Sequence, residues 1–169
     1  LFLDTRAING HTVKLLEKKV LELRITHRFG EIATNQSFRT LFGLDNSSDI
    51  RIGLEYGMTE NFMIGGGRSK GAGPFLELWD GFLKLGIYKN KERNIKITAS
   101  SQLFFTTMPS SNNPIELTNF TRLTHRFTYH NEILFGFKPF KTITLQLSPG
   151  FIYRNLVHYQ DNNFLPHIS

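Results

Sequence analysis

The stretch "VLELRITHRF", residues 20–29, poses the fold question for the whole chain. Read in twos, Leu21, Leu23, Ile25, His27 and Phe29 share one face, while Glu22, Arg24, Thr26 and Arg28 share the other. Such alternation marks a β-strand with one apolar and one charged face. A near-copy of its end, "LTHRF", returns at 123–127. The two histidines invite three readings: half-sites of a metal or catalytic centre, a duplicated unit, or two strands following one local rule. The flanking residues do not repeat, which argues against duplication.

The same period recurs along the chain. Residues 49–56 set Ile50, Ile52, Leu54 and Tyr56 against Arg51, Gly53 and Glu55. Residues 62–69 are weaker, with Gly65, Gly66 and Gly67 in the middle. Residues 78–88 place Trp79, Leu83, Leu85 and Ile87 opposite Asp80, Phe82, Lys84 and Tyr88. Stretches 95–105, 121–137 and 143–157 continue the pattern, the last two with Arg122, Arg126, Glu132 and Arg154 on the charged side. About seven strands are predicted, with a helical turn or two expected only at 12–19.

Strands of this length are long for a soluble sheet and suit a tilted bilayer crossing. The connections alternate too: 30–48 and 106–118 are long, 57–61, 89–94 and 138–142 short. An aromatic stands near an end of most strands: Phe29, Tyr56, Trp79, Phe105, Phe137 and Tyr153. Long loops on one side, tight turns on the other and aromatic ends describe an antiparallel up-and-down transmembrane β-barrel. Its predicted lumen face carries Glu22, Arg24, Arg28, Arg51, Glu55, Asp80, Lys84, Arg122, Arg126, Glu132 and Arg154, with Arg28 and Arg126 the favoured functional pair. These charges either pair to fill the interior or favour anionic solutes. A soluble β-sandwich or lipocalin-like binding module is the alternative, since its strands also alternate.

Composition narrows the rest. The chain has 169 residues, a formal charge of +6 and no cysteine. Disulfides and cysteine-based metal sites are therefore excluded. Basic residues are spaced singly, a poor footprint for nucleic acid. "GRSKG" at 67–71 fits the nucleophile-elbow spacing, but a strand follows it where a helix is needed. A lipid hydrolase using Ser69 or Ser101 with His27 or His125 is the less favoured third reading; nothing in the spacing orients the imidazole. No cofactor or metal motif is present, and the triplets "NQS", "NSS" and "NFT" read as loop composition.

Several stretches taken together resemble a family of uncharacterised outer-membrane β-barrel proteins from Bacteroidetes-type bacteria, known by a domain-of-unknown-function label. They are "TRAINGHTV" (5–13), "LELRITHRFG" (21–30), "LFGLD" (41–45), "IRIGLEYGMTENFMIGGGRS" (50–69), "DGFLKLGIY" (80–88) and "RNLV" (154–157). The resemblance implies a barrel fold and a bacterial outer-membrane location but little mechanism; the leading reading is a non-enzymatic role there, in contact with lipid and lipopolysaccharide. That role would be a passive channel or an accessory subunit alongside other outer-membrane or periplasmic proteins. It also implies a larger barrel, so residues 1–19 are expected to form an N-terminal arm and 20–169 an incomplete set of strands. The alternative is that residues 1–8 supply an eighth strand. Gly66, where the family has a larger residue, suggests a close approach by another protein if it faces lipid.

Overall fold

The computed structural model describes residues 1–8, 10–30, 32, 35, 38, 39, 41, 44, 47–71, 75–90, 92–140 and 142–169. The triplets "NQS" and "NSS" lie partly outside the described residues, as does most of "LFGLD".

Alternation produces strands wherever it was read. After a short hairpin of β1 (Arg6–Ala7) and β2 (Gly10–His11) come β3 (Leu21–Phe29), β4 (Ser47–Thr59), β5 (Phe62–Gly71), β6 (Glu77–Asn90) and β7 (Ile95–Thr106). A 3-10 turn, Leu123–Arg126, leads into β8 (Phe127–Phe137), then β9 (Leu145–Leu147), β10 (Pro149–Arg154) and β11 (Phe164–Ile168). The nine strands of the main sheet are antiparallel and ordered β11-β10-β8-β7-β6-β5-β4-β3, with β9 also on β8. β9 and β10 share one position, separated at Ser148, where Pro149 has no N–H to continue the ladder. Ser148 instead exchanges two backbone bonds with Ser169. The sheet therefore has an up-and-down order, and among the described residues β3 and β11 each keep one unpaired edge.

Several expectations need correction. Residues 12–19 form no helix; they run extended to a turn at Lys18 and Lys19. Residues 1–8 do not extend the sheet as an eighth strand, because Arg6 and Ala7 pair with His11 and Gly10 instead. The eighth position is filled by β11, in a stretch whose Asn and Pro content reads as loop. The second pentapeptide is not a strand: Leu123 to Arg126 coil into the 3-10 turn, and only Phe127 enters β8. Local sequence is the same in both copies, but here the chain must close a long connection.

The sheet is curled, and one short hairpin proves it. Arg6 and His11 face each other across β1–β2. Arg6 reaches Glu55 on β4, while the His11 carbonyl accepts a bond from Gln146 on β9. In a flat sheet those strands would stand five spacings, or about 24 Å, apart. Residues 4–8 and 10–17 thus lie inside the curl.

The outer face carries Leu21, Leu23, Ile25, Ile52, Leu54, Leu83, Leu85, Ile133, Phe135 and Leu147, all well exposed. Apolar cover this extensive is untenable in water and ordinary in hydrocarbon. Phe29, Trp79, Phe105 and Tyr153 stand at the long-loop ends of their strands, Tyr56 and Phe137 at the short-turn ends. Strands β3 to β8 have 9 to 14 residues, enough to cross a bilayer. No described helix is long and apolar enough to cross one.

Candidate functional site: the charged interior and its arm

Inward-facing positions along the middle strands are Gly53, Glu55 and Gly57 on β4, Phe82, Lys84 and Gly86 on β6, and Thr98 and Ser100 on β7. On β8 they are Glu132, Leu134 and Gly136. Glu55 and Lys84 are wholly buried. Charged groups in that state are tolerable only when paired and hydrogen-bonded, and here the arm supplies the partners. Arg6 Nε donates to Glu55 at 3.0 Å, and Thr5 Oγ1 donates to the same carboxylate at 3.0 Å. Lys84 Nζ donates to the carbonyls of Thr5 (3.2 Å) and Lys14 (2.6 Å).

The arm's backbone is satisfied in the same way. Thr98 Oγ1 donates to the Val13 carbonyl, and Gln146 accepts from the Val13 N–H while donating to the His11 carbonyl. These partners stand in for the sheet ladder that the arm does not join. A further cluster at the edge ties Arg24 to Asp4 and Glu22, with Glu55 at 3.8 Å. Arg24 holds the Asp4 carboxyl down at about 2.

Glycines make the seat. A Cβ on Gly136 would lie 2.5 Å from Val13 Cγ2, one on Gly57 2.0 Å from the Glu17 carbonyl oxygen, and one on Gly86 3.0 Å from Leu15. Gly53 and Gly67 clear space for the Arg51 guanidinium, which bonds Asp80 through Nε at 2.8 Å. Gly65 accommodates the Phe82 ring. His11 packs on that ring at 4.6 Å, and among the described residues neither of its buried nitrogens has a hydrogen-bond partner. Burial, with Arg6 and Lys84 nearby, pushes the His11 imidazole well below its ordinary range, so it is neutral when docked.

The structure thus gathers Glu22, Arg24, Arg51, Glu55, Asp80, Lys84 and Glu132 on the inner face. Other sequence-selected residues stand elsewhere. Arg28 sits at the strand end beside Asp49 (3.3 Å), half exposed. Arg154 is at the long-loop rim, exposed. Arg122 and Arg126 are not lumen-facing strand residues: Arg122 precedes the 3-10 turn in solvent. Arg126 bonds the carbonyls of Thr106 (3.1 Å) and Met108 (2.7 Å) and lies over the Phe120 ring at 4.5 Å. It staples the connection 107–126 to the end of β7.

His27 and Ser69 belong to opposite faces of the sheet by register, so that dyad does not assemble. Ser101 lies mid-strand on β7, while His125 lies in the connection beyond its end. "GRSKG" is continuous strand. Gly66 faces outward beside Leu54 and Gly81, and its added Cβ would meet the Asp80 carbonyl at 2.9 Å, so the neighbouring strand already accounts for this glycine. Among the described residues, no group of three or more His, Asp or Glu is placed to hold a metal. Sequence reading missed the arm's residues, Thr5, Arg6, His11 and Val13. Their signal was the set of inward glycines, whose missing side chains imply something close above them.

In comparison with known proteins, the family model described as "Membrane bound beta barrel domain (DUF5777)" matches residues 2–168. No curated protein and no solved structure matches the chain.

Proposed function

Because the chain belongs to the membrane bound β-barrel domain family, we propose that it is a non-enzymatic barrel of the bacterial outer membrane whose interior passage is held shut by its own N-terminal arm. The observation that carries this reading is the burial of Glu55 and Lys84 beneath Thr5, Arg6 and Lys14 of the arm. In an open channel both charges would face water. In a barrel filled only for stability, apolar side chains would serve as well or better. Charged groups satisfied by a separable segment instead suit a closure that is reversible. The alternation of long and short connections supports an outer-membrane orientation, with the arm entering from the short-turn side: Val20 and Lys19 bond to Gly57 at that end.

Planar-bilayer recording tests the reading. The intact chain is expected to be nearly silent. Gly136→Leu, which takes the seat of Val13, is expected to give frequent conductance steps. Silence from both, with both folded, removes the gated passage and leaves the accessory role. One observation favours that second reading: among the described residues β3 and β11 present unpaired backbone edges, which a bilayer does not tolerate without another strand. Stoichiometric companions retained in mild detergent would be its sign.

A further inference from the structure

The long-loop end of the interior is built differently. Leu78, Phe104 and Ile152 point inward there, from β6, β7 and β10, although the inside of a membrane barrel is ordinarily polar. They bound a cavity of about 370 Å³. Packed interiors leave few voids larger than a water, whereas sites for small molecules begin near ~300 Å³ and are mostly apolar with a few placed polar groups.

The cavity is roofed by folded connections. Leu117 comes from the 107–126 connection, which Arg126 pins to β7, and Phe75 meets Phe120 at 6.1 Å. Leu156 and Val157 line the other side, and the cavity stays partly open to its surroundings. Three ionisable groups face the space: His130 at the floor, Arg154 at the rim and Asp161 on the roof. His130 is engaged by Gln102 (2.9 Å) and His167 (2.8 Å). Among the described residues Arg154 has no carboxylate within ion-pair distance. An exposed guanidinium on a rigid strand, at the mouth of an apolar cavity, suits the two oxygens of a carboxylate.

We propose that this cavity binds an amphiphile with one apolar chain and one carboxylate, the chain beneath the roof and the head at Arg154. The site shares no residue with the arm's ion pairs and does not depend on whether the barrel conducts.

The full chain in lipid nanodiscs, photolysed with a diazirine-bearing fatty acid and mapped by mass spectrometry, tests this. Labelling is expected on inward Phe104 and Ile152 and on Leu156–Val157, above the level at outward Leu83 and Leu85. Leu156→Arg, a loop change that leaves the strands intact, is expected to lower inward labelling about tenfold. Arg154→Gln is expected to cost roughly the same for the fatty acid, through a lost charge-assisted bond, and nothing for the matching fatty alcohol. Labelling confined to outward residues would show a lipid annulus and no site. Equal labelling by the fatty acid and the matching amine would overturn the assignment of Arg154 to the head.

Discussion

The two ends of the interior solve one problem in opposite ways. Toward the short turns, the inner face is charged and glycine-rich, and Thr5, Arg6, Val13 and Lys14 of the same chain satisfy it. Toward the long loops, Leu78, Phe104 and Ile152 line a cavity beneath connections pinned by Arg126, beside the self-contained Arg51–Asp80 pair. Both ends lie on the same strands, so strand geometry does not cause the difference. It comes from what each end packs against: a segment with carbonyls and an arginine to offer in one case, loop side chains in the other. A charged wall needs a fixed partner, because an unpartnered buried charge is costly. An apolar wall tolerates exchange, because dispersion and burial are non-directional.

The comparison breaks most readily at Glu55. Glu55→Leu leaves Arg6 and Thr5 without their acceptor. It is expected to weaken arm docking by about 3–5 kcal/mol, the usual cost of removing one partner of a buried pair. Faster proteolysis within residues 1–19, with the cavity's fatty-acid labelling unchanged, would check both halves at once. Gly136→Ala comes next, at about 1–3 kcal/mol of overpacking against Val13. Val13→Ala in the same chain should recover much of the loss, a coupling that a double-mutant cycle reads directly.

Arg126→Ala sharpens the other end. Losing two bonds to backbone carbonyls and the contact with Phe120 is expected to free the 107–126 connection by about 1–2 kcal/mol. Hydrogen exchange should rise there and stay unchanged in the arm. An arm that loosened equally would show the two ends to be one cooperative unit.

The smallest effect is acidification. Docked His11 is neutral, facing Arg6 from the arm, Lys84 from β6, Gln102 from β7 and His130 from β8. Its docked pKa is depressed, so only the released arm gains a proton as pH falls below ~6.5. Docking stability is thus fully present above that value. It declines toward acid, by about 1 kcal/mol at pH 5.5. Asp4 acts in the same direction lower down, losing its bond to Arg24 as pH falls from the ordinary carboxylate range through about 2. Arm exchange measured at pH 7.5 and 5.5 should show the His11 effect, and His11→Phe should abolish it.

Much of this was legible in the residues. Alternation identified β3 to β8 and the parity of Glu22, Arg24, Arg51, Glu55, Asp80, Lys84 and Glu132, because neighbouring side chains in a strand must point to opposite faces. One bulge upset it: beside Gly86 the register slips, so Tyr88 pairs with outward Ile97 and turns out of the interior. The pentapeptides mark the limit of local reading. "ITHRF" extends because β4 lies beside it to accept its bonds. "LTHRF" coils because its neighbourhood is a connection that must turn back over β7.

By itself, then, the sequence determined a membrane-suited sheet, its connection lengths and which side of it is charged, all properties of near neighbours along a strand. Only the tertiary structure decided what those charges meet. Arg6 and Glu55 are 49 residues apart, and His11 and Gln146 are 135 apart. Such contacts exist only after the sheet has curled, and curling is a property of all its strands together.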